Sequence, residues 1–326
     1  MLNFPRSLRA LALGAAVVAG TAGLAQAAKL SIGLSTWVGY GPLYIAQAQG
    51  FFKDEGLEVD LVKMEDPKTR MPALIADRID LAATTIDTVL NFYSKDHPLT
   101  YVFALDDSHG GDGIVAKNSI TDIAGLKGKK VAYAEGSVSQ FFLAVLLKRA
   151  GLTLKDVDTQ NMTAGDAGAA FVAGRVDAAV TWEPWLTRGK QAKDSHLLVD
   201  SSTTPGLITD VITTTDAFAK AHPEELKKLY AAWAKAVDWQ KTHEEEADKI
   251  MAKGVGGWLD DPKTFAETRS GVVYYDGAMN KAFIGTKDAP GAITKTIADA
   301  EEINKQAGLS DVSVPPADLI TFGIVE

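Results

Sequence analysis

Short apolar runs alternate with amphipathic stretches along most of the chain, the rhythm of β-α-β units in a mostly parallel sheet covered on both faces. Leu30 to Leu34 predicts a first strand, followed by a loop at Ser35 to Gly41 and a helix from Pro42 to Gly50. Leu57 to Met64 predicts the next strand, Pro72 to Asp77 a helix, and Ile79 to Thr84 a third strand with alternating apolar positions. The frame then repeats. Ile75-Ala76-Asp77-Arg78-Ile79-Asp80-Leu81-Ala82-Ala83-Thr84 aligns with Val172-Ala173-Gly174-Arg175-Val176-Asp177-Ala178-Ala179-Val180-Thr181. Each copy follows a strand, a loop, a helix closing at Gly50 or Gly151, and a second strand. Two lobes of one topology account for this order.

The second lobe is expected to open near Gly113-Ile114-Val115-Ala116 and to close near Asp210-Val211-Ile212-Thr213-Thr214-Thr215, two extended runs that would cross between lobes as a hinge. This gives an α/β chain with lobe one at 28–115 plus 214–326 and lobe two at 116–213. Helices are expected at Asp216 to His222, Pro223 to Thr242, Glu244 to Lys253 and Pro262 to Ser270, returning to complete lobe one. Pro223 sits at a favoured helix start, and Glu224 and Glu225 in the first turn complement the helix dipole.

Composition narrows the compartment. Arg6 and Arg9 precede the apolar run Ala10 to Leu24 and the small-residue triplet Ala25-Gln26-Ala27, so residues 1–27 are expected to be a secretory leader cut after Ala27. That run is shorter than the ~20 residues that span a bilayer. The chain has no cysteine, which excludes disulfides, thiolate metal sites and cysteine nucleophiles. A net charge of −9 argues against nucleic acid or an anionic membrane as partner.

In open α/β sheets ligands sit beyond the C-terminal ends of the strands. Four loops there carry the candidate chemistry: Ser35 to Tyr40 and Thr84 to Asp87 in lobe one, Glu135 to Ser139 and Thr181 to Trp185 in lobe two. Thr85, Ser137 and Ser139 offer hydroxyls beside helix starts, whose free N–H groups hold anionic groups, and each also reads as a plain N-cap. Trp37, Tyr40 and Trp182 could enclose an organic ligand, at roughly 0.5–2 kcal/mol each if it is cationic. Trp185 reads rather as interlobe packing. Asp87, Asp112, Glu183 and Asp210 are carboxylates at the same level. Glu183 and Asp210 are expected to contact an ammonium or guanidinium, whereas Asp106 and Asp107 read as solvated rim. The absence of Lys and Arg from the four loops speaks against a simple inorganic anion.

The stretch Gly39-Tyr40-Gly41-Pro42-Leu43-Tyr44-Ile45-Ala46, with Gly50-Phe51-Phe52, Glu55-Gly56-Leu57, Arg78-Ile79-Asp80 and Trp182-Glu183-Pro184-Trp185, resembles the nitrate/sulfonate/taurine class of ABC-transporter substrate-binding proteins. The resemblance covers essentially the whole chain after the leader. It implies the two-lobed periplasmic-binding-protein fold with two hinge crossovers, closure on a small-molecule ligand, a monomer in the periplasm, and delivery to an inner-membrane ABC permease. Neither catalysis nor a cofactor or metal is expected. Asp210 stands where taurine binders of the class have an acid, and Asp107 to Val115 is similar to binding proteins associated with guanidine or urea-like compounds. Two alternatives stay open: a sensor that presents its ligand-bound form to a receptor, and a pyrimidine-forming or dehydratase enzyme on the same fold. The five histidines, His97, His109, His196, His222 and His243, are scattered, and no catalytic or phosphate-binding motif is present.

Overall fold

The computed structural model describes residues 27–256 and 261–325. The leader expected over residues 1–27 lies, apart from Ala27, outside them.

Among the described residues eleven strands form two sheets: β1 Ala28–Leu34, β2 Leu57–Lys63, β3 Leu81–Thr85, β4 Leu99–Ser108, β5 Asp112–Lys117, β6 Lys130–Tyr133, β7 Asp158–Asn161, β8 Ala178–Trp182, β9 Ser195–Asp200, β10 Thr209–Thr215 and β11 Val272–Tyr274. The first sheet runs β11-β4-β10-β3-β1-β2 and the second β7-β6-β8-β5-β9. In each, one strand pairs in parallel with two others (β1 with β2 and β3, β6 with β7 and β8). The inner of these, β3 or β8, then takes an antiparallel neighbour, β10 or β5.

The repeated aspartate fixes the equivalence atom by atom. Asp80 Oδ2 accepts from the Ser31 backbone N–H at 2.7 Å, and the Asp80 N–H donates to the Ser31 carbonyl at 3.2 Å. Asp177 Oδ2 accepts from the Lys130 N–H at 3.0 Å, and the Asp177 N–H donates to the Lys130 carbonyl at 2.8 Å. Both aspartates clamp the strand that starts their unit just before the third strand begins.

The crossings sit a few residues from where the sequence places them. β5 is hydrogen-bonded on both sides by β8 and β9, and β10 on both sides by β3 and β4. A strand held along both edges cannot also be the crossing. Residues 113–115 therefore belong to the second sheet, and 210–213 to the first. The chain crosses at 109–111 and returns at 201–208, in turns that include Gly110 and Gly206, both at positive φ. The crossings are bonded to each other: Ser108 Oγ lies 2.8 Å from Ser201 Oγ, the Gly110 N–H donates to Ser201 Oγ at 2.7 Å, and the Ser108 N–H donates to the Ile208 carbonyl at 3.0 Å.

The helix expected from Pro72 begins at Pro67 instead, because the Asp66 carboxylate accepts from the Lys68 N–H at 2.8 Å and Pro67 takes the first helical position. The helices Pro223–Thr242 and Glu244–Val255 pack on Gly41–Ala48 of the first lobe, as expected. Trp233 in the first of them is fully buried and donates to the Tyr275 carbonyl at 3.0 Å.

The outer edge of β4 is covered piecewise. β11 pairs with Asp106 to Ser108, and the Tyr275 N–H donates to the Leu105 carbonyl at 2.8 Å. Asn280 takes both backbone groups of Ala104, accepting at 2.8 Å and donating at 3.0 Å. The Thr321 N–H donates to the Tyr101 carbonyl at 2.9 Å.

Candidate ligand-binding cleft

The segment after β1 turns tightly over Val38–Tyr40. Trp37 Nε1 donates to both carboxylate oxygens of Asp106, at 3.1 and 3.3 Å. Gly39 is required there: a Cβ on it would lie 2.1 Å from Trp37 Nε1 and 2.2 Å from Asp106 Oδ2. The Tyr40 hydroxyl donates to Asp210 Oδ1 at 2.5 Å. Asp106 and Asp210 are themselves cross-strand partners on β4 and β10. Two acids with an aromatic donor each thus stand side by side at the end of the first sheet.

From the second lobe, Ser137 caps the helix Val138–Arg149, accepting from the Ser139 N–H at 3.2 Å and donating to the Ala134 carbonyl at 2.7 Å. Trp182, at the end of β8, reaches across the cleft and donates through Nε1 to the Thr36 carbonyl at 2.8 Å. Thr36 is held in turn by Glu65, to which its N–H and hydroxyl donate at 2.9 and 2.7 Å. Lys68 and Glu135 add an ion pair of 2.8 Å between the lobes.

Between these walls lies a cavity of about 30 Å³, room for a water or two. Seven of the ten candidate residues line it: Trp37, Tyr40, Thr85, Asp112, Ser137, Trp182 and Asp210. The other three do not. The Glu183 carboxylate is committed to its own helix, accepting from the Thr187 N–H at 2.9 Å, the Thr187 hydroxyl at 2.8 Å and Lys190 Nζ at 3.1 Å. Glu183 lies just before Trp185–Lys190 and holds its first turn through Thr187, so it stands off the cavity lining, where the sequence expected a ligand contact. Asp87 is buried beside the cavity in the first turn of Ile86–Phe92, where Thr85, Thr88 and backbone N–H groups occupy its carboxyl. Ser139 gives its N–H to the cap, and its hydroxyl is buried without a partner.

Two readings of charge also change. Asp106 is fully buried rather than solvated at the rim. Arg70, on the helix Pro67–Ile75, lines the cavity although no basic residue stands in the four loops. Its Nη1 donates to the Met64 carbonyl at 2.5 Å, Nη2 lies 3.5 Å from Thr84 Oγ1, and Nε has no partner. Ser35, Thr84 and Thr88 complete the polar lining.

Burial dominates the electrostatics. It pushes Asp210 up to about 7, against the Tyr40 hydrogen bond and the charge of Arg70, which favour the ionised form. It pushes Asp87 up to about 7 as well. Asp106 and Asp112 rise well above the usual carboxylate range, first from burial and then from the charge of neighbouring acids, Asp210 among them. Burial lowers Arg70, which Tyr40, Glu65 and Asp210 partly restore.

A family model described as "NMT1/THI5 like" matches residues 37–247. A protein of Bacillus subtilis (strain 168), named as a candidate aliphatic sulfonates-binding protein, is 30% identical over 217 residues, covering 65% of this chain and 65% of its own length. A 4-amino-5-hydroxymethyl-2-methylpyrimidine phosphate synthase of Aspergillus parasiticus is 27% identical over 215 residues, covering 61% of this chain and 62% of its own. The chain thus spans under two thirds of the length of these relatives. The alkanesulfonate-binding protein SsuA of Xanthomonas axonopodis pv. citri, solved bound to MOPS, superposes with a TM-score of 0.73 at 18% identity, covering 91% of this chain and 99% of that one.

Proposed function

The chain belongs to the NMT1/THI5-like family and has the two-lobed periplasmic-binding-protein fold; from that premise we propose that it is a periplasmic solute-binding protein serving an ABC importer. Its ligand is a small polar metabolite containing nitrogen or sulfur, taurine- or guanidine-like, that carries an amine or guanidinium group. One observation carries this reading: Asp112 and Asp210, from different sheets, border one aromatic-walled cavity, and no Lys, Arg or His is bonded to either among the described residues. Buried carboxylates in such a setting are stabilised by a bound cationic donor. Arg70 and the Val138–Arg149 helix start, lining the same cavity, suit a polar acceptor at the other end of the ligand. Closure follows from the two bonded crossings, which permit rotation of one sheet unit against the other, and from the ligand's higher affinity for the closed state.

A thermal-shift series tests this reading, with taurine, alkanesulfonates, guanidinium, urea, nitrate, bicarbonate and pyrimidines. A compound that binds the folded state alone raises Tm. A rise with guanidinium or taurine, lost or weakened at least about tenfold in Asp210→Asn, is the expected result, since removing one charged partner of a buried contact costs about 1.5–3 kcal/mol. A rise with nitrate or bicarbonate alone overturns the cationic site. The pyrimidine phosphate synthase among the relatives sets the competing reading. Chemical conversion of the stabilising compound, followed by NMR, would replace capture by catalysis.

A further inference from the structure

Outside the cleft, a wide groove lies between the helices Val138–Arg149 and Ile293–Ala307, with Lys148, Arg149, Lys155 and Lys305 on its walls, but nothing in the structure shows what covers it. Within the cleft the acids outnumber what any single ligand can balance. Four buried carboxyls meet there: Asp106 on β4, Asp112 on β5, Asp210 on β10 and Asp87 on the adjoining helix. The other ionisable groups facing Asp210 and Asp112 are Tyr40 from the turn after β1, Arg70 from Pro67–Ile75, Asp107 from β4 and Glu183 after β8. Arg70 is the one cation among them, and it spends Nη1 on the Met64 carbonyl.

Asp106 and Asp87 do not line the cavity and so make no direct contact with what fills it. Asp112 and Asp210 do line it, one from each sheet, and they border a space of only about 30 Å³. Two carboxylates bordering so small and buried a site share its one lining cation, Arg70, whose Nη1 is already held by the Met64 carbonyl, so without a further positive charge they keep a proton. The upward displacement of both groups agrees with that geometry. A small cavity bounded by opposed acids also selects shape: a planar, multi-donor cation reaches both walls, which a single ammonium does less completely.

Resting on the solute-binding reading above, we propose that the cleft takes a compact organic cation with several N–H donors and releases about one proton from the Asp112–Asp210 pair for each cation bound. One positive charge enters as another leaves to solvent, so the charge of the cleft is conserved. Affinity for the cation then falls as the pH drops and protons compete for the pair, by up to about tenfold per pH unit. Acidification becomes a route to unloading.

The test is titration calorimetry with guanidinium chloride at millimolar concentration near neutral pH, in two buffers of different ionisation enthalpy, with urea as the neutral probe of the same shape. The expected result is a buffer-dependent heat corresponding to nearly one proton released per guanidinium, no such dependence for urea, and weaker guanidinium binding at about pH 5 than at about pH 7. In Asp210→Asn and in Asp112→Asn both the proton release and the pH dependence should shrink. Guanidinium binding with equal heats in both buffers overturns proton exchange and leaves the solute-binding reading intact. No heat with guanidinium, while nitrate or urea binds the same preparation, overturns the proposal and the cationic ligand class together and leaves only solute capture standing.

Discussion

The two sheets start from one plan and diverge where the strands end. In the first unit the chain leaving β1 turns at Val38–Tyr40 and sends Trp37 and Tyr40 to acids on β4 and β10. In the second unit the chain leaving β6 runs into a twelve-residue helix capped by Ser137. One side of the cleft is thus charged and aromatic, and the other is largely hydroxyl and helix start, with Asp112 and Trp182 reaching across from it. The clamps Asp80 and Asp177, by contrast, make the same two bonds in both units. Repeated topology fixes the strands, while the segments just beyond them are free to specialise.

The largest expected effect tests the shared part. Asp80→Ala and Asp177→Ala should each cost about 0.5–1.5 kcal/mol, because the backbone N–H they accept from loses its protein partner. Comparable losses of Tm in the two variants would sharpen the equivalence of the units, and a silent variant would break it. The Asp177 variant should also respond to acid. Lys117 and the Lys130 N–H hold Asp177 below the usual carboxylate range. Because its folded value lies below its unfolded one, its contribution is complete above about pH 4 and is lost as the pH falls through the folded value. Asp177→Ala should therefore narrow the gap in Tm from wild type as acid is added.

A smaller effect tests the specialised part. Trp182→Phe keeps an aromatic wall but removes the Nε1 bond to the Thr36 carbonyl, the one hydrogen bond described here that runs from a cleft aromatic of one lobe to the backbone of the other. Ligand affinity should weaken by about fivefold, the scale of one lost neutral hydrogen bond, with little change in ligand-free Tm. An unchanged affinity would mean that the bond forms equally in the open state.

The smallest effect belongs to Glu183. Because it serves its own helix, Glu183→Gln should alter affinity by less than about twofold and lower Tm slightly through the weakened contacts with Thr187 and Lys190. A tenfold loss of affinity would restore the ligand contact that the sequence suggested.

Much of the fold was legible because alternation and the φ-A-x-R-φ-D-x-A-φ-T frame are local signals. The clamps convert that frame into matching strand contacts. The exact crossings were less visible, since β5 and β10 read the same whether they bridge lobes or lie inside a sheet. The site was legible in its loops, which supply most of the cavity lining. Arg70 escaped because it projects from a helix rather than a loop, and nothing in Asp66-Pro67-Lys68-Thr69-Arg70 tells a buried guanidinium from a solvated one. Glu183 misled for the opposite reason. Its carboxylate holds the Thr187 N–H in the first turn of the next helix, but its position among tryptophans made the ligand the more conspicuous partner.

The edge of β4 has a consequence of another kind. An open strand edge is a template on which a second chain can add itself, the first step toward insoluble aggregates. Here no single long strand blocks it. A three-residue strand, the Tyr275 amide, the carboxamide of Asn280 and the backbone of Thr321 each occupy a few of its hydrogen-bonding groups. These pieces come from the last part of the chain, so a nascent polypeptide that has not yet made residues 272–321 exposes the whole edge. The interval before those residues join the fold is the time when self-association is easiest.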